Sequence, residues 1–323
     1  MYNLVLDFHI LKHFLISKPK DVLQGGSIEE NDYWNSFYSF IKKGAHVEIV
    51  NFEIGEIGNI VLNNFTSGRG VSNLTLNEKK INFHNFKVSN KKIHTILFLN
   101  EINEENQLKY RSRNGYVFGF INDYAKVWKQ LSLVNDKKII AVGANSEKGL
   151  KNWSELSKLF NQVTDVVFID AFAFESELKE YNIIKILELI NQKSVGHWNL
   201  TIISSQVKKS LSELFNRFNE LKTLISINKI NCDLKVVFTG QKLKEHDRQL
   251  IVNNIRINSG DSFNYFDSNG KIITKGTEMH LMPLVDNINF EHTSIILNRI
   301  RLIEDQTYKE NIFGNCKNRF LEN

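Results

Sequence analysis

Apolar and polar positions alternate along this chain with two distinct periods, and the periods separate strands from helices. Residues 138–143, 165–170, 198–204 and 234–238 are short, nearly unbroken apolar runs of the kind a sheet buries on both faces. Between them, residues 153–160 and 175–192 carry helical patterns, and Val207, Leu211, Leu214, Phe215, Phe218 and Leu221 recur at helical spacing as one apolar stripe. This alternation predicts an α/β sandwich from about residue 136, with residues 165–170, 198–204, 234–238 and 249–253 as its central strands. Asn253-Asn254 reads as the turn into a second short strand at 255–257. A hairpin turn at 266–271 with a return strand at 272–277 comes next. The stretch from Asn311 reads either as a frayed tail or as a small docking segment.

The first part of the chain is less regular. Residues 34–43 form an aromatic-rich helical pattern that Gly44 ends, and residues 45–50 and 93–99 are strand candidates. Two domains are therefore expected, a smaller α/β domain over 1–133 and a mixed-sheet sandwich over 134–323.

Composition changes this picture little. Hydrophobic residues make up 42% and charged residues 24%, as in ordinary globular chains, which excludes a disordered polyelectrolyte. Cys232 and Cys316 form no CxxC pair, which argues against a disulfide framework or a zinc ribbon and points to a reducing, cytoplasmic setting. The N-terminal run has no basic flank and is interrupted by Asp7, so neither a signal peptide nor a membrane span is expected. A net charge of +5 is compatible with a polyanionic partner. Asp7, His9 and His13 lie in apolar surroundings and are read as part of a structural element. With no HExxH, EF-hand or clustered Cys/His pattern, no metal is predicted, and with no GxxxxGK[ST] loop no nucleotide cofactor either.

The chemistry is concentrated after residue 234. His246 is followed by Arg248 at two residues, Asn253 at seven and Gly260 at fourteen, and then by Ser262, Phe263 and Asn264. Period-two alternation would turn His246 and Arg248 toward one phosphate. Arginine can grip it through two parallel hydrogen bonds. From Lys235 to Arg256 there are five Lys/Arg against two Asp/Glu, including Lys242 and Lys244, a local surplus that favours an anion. Gly260 would let backbone approach the anion, and Ser262 would donate to it.

This spacing resembles the signature of the phospholipase D superfamily, histidine-any-lysine-four-any-aspartate and then Gly-Ser-any-Asn. Arg248 stands for the lysine, Asn253 for the aspartate and Asp261 for the serine. The resemblance implies a phospholipase D-like lobe over about residues 136–290. His246 would be the nucleophile of a metal-independent phosphodiesterase, Arg248 the clamp, and residue 253 the group that orients the histidine. Lys244, Arg256, Gly260, Ser262 and Asn264 would bind substrate. Glu278 and His280 fall where the family often places a late polar residue.

Active members use two such histidines, so the second would come from a homodimer, from a diverged N-terminal lobe, or from His46, His84 or His94. The His-Asp-Arg variant is also similar to the non-catalytic phospholipase D-like C-terminal domain of MIT-domain membrane-remodelling proteins. Degenerate lobes of this kind also look like parts of bacterial antiviral systems. Two functions stand side by side: a nuclease acting on nucleic acid, and a module that holds a phosphate of nucleic acid or lipid. Two further anion candidates lie in the N-terminal part. Arg69 sits in a glycine-flanked loop for which a solvated turn is the competing reading. Arg111 and Arg113 interleave with Tyr110 and Tyr116 as single-stranded nucleic-acid sites do.

Overall fold

The computed structural model describes residues 1–52, 74–77, 93–143, 149–174, 177–205, 209–240, 243, 248–274 and 276–322, without the side chains of 177 and 178. The chain divides into two compact units, Met1–Asp136 with Pro283–Phe290, and Lys137–Met282 with Glu291–Asn323. Arg69, His84, Lys242, Lys244 and His246 lie outside the described residues.

In the first unit the order is β1 (Tyr2–Asp7), α1 (Phe8–Ile16), α2 (Ile28–Ser39), β2 (Ala45–Val50), β3 (Leu74–Leu76), β4 (Thr95–Leu99), α3 (Glu104–Asn114), β5 (Val117–Phe120) and α4 (Tyr124–Ser132). Its strands pair in parallel in the order β3-β2-β1-β4-β5. Every residue of β1 and β4 is buried, which explains why these strands read as unbroken apolar runs rather than as alternations. Asp7 ends β1 and caps α1: its carboxylate accepts from the His9 backbone N–H at 2.8 Å and from Asn51 Nδ2 at 2.7 Å. The structural reading of Asp7 agrees with these bonds.

The second unit contains β6 (Ile139–Val142), a 3-10 turn at Trp153–Leu159, β7 (Val163–Ile169), α5 (Ile183–Lys193), β8 (Ser194–Ser205), α6 (Leu211–Ile227), β9 (Cys232–Thr239), β10 (Gln249–Val252), β11 (Ile255–Ser259), β12 (Thr277–Pro283) except its last residue, α7 (Asn287–Gln306) from Glu291 on, and β13 (Ile312–Gly314). Its sheet runs β13-β9-β8-β7-β10-β11-β12-β6. β7, β8 and β9 are parallel, whereas β10 returns antiparallel on the other side of β7. The molecule is thus mixed α/β, with an all-parallel five-stranded sheet and a mixed eight-stranded one. Both sheets contain the order third-second-first-fourth-fifth, as β3-β2-β1-β4-β5 and as β9-β8-β7-β10-β11, with the first three strands parallel in each, but β4 runs parallel to β1 whereas β10 runs antiparallel to β7.

Several element boundaries depart from the sequence pattern for local reasons. α6 starts with a capping box between Ser210 and Glu213, and it buries Leu214, Phe218, Leu221 and Ile225. Each such side chain contributes about 1.5–3 kcal/mol. Leu211 and Phe215 are exposed, so the expected stripe is narrower and shifted by a turn. The helix expected from residue 175 begins at Ile183. Asn182 breaks it, because its buried amide accepts from Phe266 N at 3.0 Å and Trp153 Nε1 at 3.2 Å and donates to the Phe266 carbonyl. The expected return strand at 272–277 shrinks to one bridge, Phe266 with Ile272, and the real strand is β12. The tail docks rather than frays: β13 pairs with β9, and Cys316 and Phe320 are buried.

Candidate functional site

The strand order of the second unit reverses at β7, and ligands of α/β sheets bind outside the carboxyl ends of the strands at such reversals. Two chain passages meet there. β7 runs out at Ile169 into Asp170, Ala171 and Phe172, and β10 starts at Gln249, which pairs with Ile169 and so sets Arg248 across from Asp170. The β10–β11 hairpin then brings Ser259 back beside Arg248, whose carbonyl accepts the Ser259 N–H at 3.0 Å.

Asp170 organises the loop that follows. It is 1% exposed, and its carboxylate accepts from Ser262 Oγ at 2.6 Å, Phe263 N at 3.1 Å and Phe172 N at 2.9 Å. Burial raises its pKa above the ordinary value, while these three donors and the charge of Arg248 pull it back. The Arg248 guanidinium lies close by. Its Nη1 donates to the Gly260 carbonyl at 2.9 Å and stands 3.9 Å from the Asp261 carboxylate. Its central carbon is 5.8 Å from the centroid of the Phe172 ring. Among the described residues the buried Arg248 Nε and the buried Asn264 Oδ1 have no hydrogen-bond partner. Buried polar atoms are nearly always paired, which makes these two notable in the passages that meet at the carboxyl end of β7.

The other expected site residues separate into distinct groups. Asn264 is in place, its Nδ2 donating to Ser262 Oγ at 3.1 Å. Gly260 and Ser262 are present but committed. The Gly260 N–H goes to the Glu278 carbonyl at 3.1 Å, the Ser262 hydroxyl to Asp170, and the Ser262 N–H to Asp261 Oδ1 at 2.8 Å. Gly260 is small for another reason than anion approach: a Cβ there would fall 2.5 Å from Thr277 Oγ1. Glu278 thus meets the site through its backbone. Arg256 is a correction, since it is 6% exposed, donates to Met282 Sδ at 2.6 Å and has its pKa lowered by burial.

Asn253 lies at the opposite end of the hairpin from Arg248. Its Oδ1 accepts from Thr164 N and Asp165 N at 2.9 Å each, and its Nδ2 donates to Thr164 Oγ1 at 3.0 Å and the Gln162 carbonyl at 3.3 Å. It ties β7 to the hairpin, a different task from orienting a histidine near Arg248.

The Arg111–Arg113 reading also changes. These residues form the last turn of α3, closed by Gly115 at φ 70. Arg111 packs 5.6 Å from the Phe118 ring, and burial takes its pKa down to about 10 against the pull of Asp123. Tyr116 is buried, and Tyr110 is partly buried against the same core; Arg113 is exposed. Sequence reasoning missed Asp170 and Phe172 as site residues. A carboxylate at the carboxyl end of a fully buried parallel strand, followed two residues on by an aromatic, was the available signal.

No protein-family model matches the chain, and no curated protein matches it. Among the described residues no group of three or more His, Cys, Asp or Glu is placed to hold a metal ion. In the same residues no helix is long and apolar enough to cross a membrane.

Proposed function

We propose that the second unit binds a phosphodiester at the carboxyl edge of β7, with Arg248 as the clamp, in a phospholipase D-like lobe. One observation carries this reading: a guanidinium held by the Gly260 carbonyl at the carboxyl end of β7, where the strand order reverses. The crossover order supports the same family, because β7, α5, β8, α6 and β9 precede a β10–β11 hairpin that returns to β7. In this reading His246, two residues before Arg248, attacks phosphorus. The leaving alkoxide takes a proton from a second histidine, and water then releases the phosphoryl group from the imidazole. The second histidine comes from another copy of the chain, and nucleic acid is the favoured substrate.

Binding and cleavage are tested separately. Arg248→Ala should weaken binding of a labelled oligonucleotide, Arg248→Lys should retain part of it, and affinity should fall steeply with salt. Normal binding by Arg248→Ala would move the site elsewhere. Cleavage, where present, should persist in EDTA and vanish in His246→Ala; Mg²⁺-dependent cleavage that survives His246→Ala would falsify the phospho-histidine route. A second reading, a binding module without turnover, is favoured by Asp261, whose carboxylate competes with any anion for Arg248. Binding without cleavage across pH and partner conditions is its expected outcome.

A further inference from the structure

Among the described residues of the second unit three aromatics are exposed, Phe215 on α6, Tyr308 after α7, and Phe172, which is the one that lies against Arg248. Phe172 is 42% exposed, whereas Phe168, Phe174, Phe238, Phe263 and Phe266 are buried. Laxity of the turn does not account for this exposure, because the turn is fastened at every step. Phe172 N and Ala173 N donate to Asp170, and the Ala171 carbonyl accepts from Ser204 Oγ at 3.2 Å and Ser205 N at 3.3 Å. A fixed backbone therefore presents an apolar ring to solvent, 5.8 Å from the guanidinium that the phosphate reading makes the clamp.

We infer that Phe172 is a stacking platform for one unpaired base, and that the ligand of this site is single-stranded nucleic acid. This rests on the phosphate reading of Arg248 and narrows it. Sites for single strands pair a backbone-neutralising cation with an aromatic face on which a base lies, and the arrangement tolerates any sequence because every base has a π face. A duplex hides its base faces within the stack. Free phosphate offers a plane to nothing, and a lipid phosphate offers only its acyl region to the ring.

The test uses the full chain and four probes: a mixed-sequence single strand, its duplex, a strand of equal length with abasic spacers, and vesicles containing phosphatidic acid. Phe172→Ala should weaken binding of the base-bearing strand by roughly 5- to 150-fold and leave the abasic strand unchanged, while Phe172→Trp should bind as well as the parent. Arg248→Ala should weaken both strands. Retention of the parent's circular dichroism and melting temperature checks that Phe172→Ala is folded. Equal affinity of parent and Phe172→Ala for the base-bearing strand, with Arg248→Ala still impaired, overturns the platform and spares the phosphate reading. Loss of no binding in Arg248→Ala overturns the phosphate reading itself. A protein that binds the vesicles through Phe172 and ignores every oligonucleotide overturns the choice of ligand.

Discussion

Asn253 uses its whole amide inside the protein, which gives a sharp expectation at the scale of one residue. Asn253→Asp keeps an acceptor for Thr164 N and Asp165 N but turns oxygen toward the Gln162 carbonyl and toward Thr164 Oγ1, whose own proton goes to Asp165. Leaving those buried groups mismatched should cost about 1–3 kcal/mol, read as a lower denaturant midpoint, and should create no activity. A stable Asn253→Asp protein with new cleavage would return the residue to the chemistry. Asp261 carries the opposite expectation. Removing its half-exposed charge in Asp261→Asn frees Arg248, so oligonucleotide affinity should rise by a factor of about 1.5 to 5, the range for exposed ion pairs.

Asp170 supplies a pH dependence. Burial raises its folded pKa above 3.8, so its contribution favours folding below that value and is lost as pH climbs through the folded pKa. Arg248 holds that pKa down, and Arg248→Ala should therefore move the carboxyl titration of Asp170 upward when followed by NMR. A midpoint that stays put or falls would separate the two groups electrostatically.

At the scale of elements, β7 does two jobs at its two ends. Its carboxyl end opens into Asp170 and the site, while near its amino end Asp165, 0% exposed, anchors the tail. Arg319 reaches that carboxylate through Nε at 2.8 Å and Nη2 at 2.6 Å, and its backbone N–H adds a bond at 3.0 Å. Arg319→Ala strands a buried charge and should cost about 3–5 kcal/mol in chemical denaturation; a change within error would make the docked tail dispensable. The sequence made β7, β8, β9 and β10 legible because each is an apolar run between polar breaks. It hid β13, which is three residues long and owes its form to pairing with β9. The proposed roles of Arg248 and Asn264 rest on their spacing from His246. Arg256 was not legible, because a charge at the right offset says nothing of burial, and Asn253 was not, because its partners lie about 90 residues upstream in β7.

Across the whole molecule, the contacts that complete the second unit join residues far apart in sequence. Arg319 meets Asp165 across 154 positions, and Asn318 donates to the Val166 carbonyl across 152. During synthesis, then, the growing sheet must wait for residue 319 to leave the ribosomal exit tunnel before Asp165 finds its cation. Until that moment β9 keeps a row of open backbone groups where β13 will lie. Nascent chains arrested before residue 312 should be caught by chaperones and proteases, whereas chains extended beyond residue 319 by a linker longer than the tunnel should resist digestion.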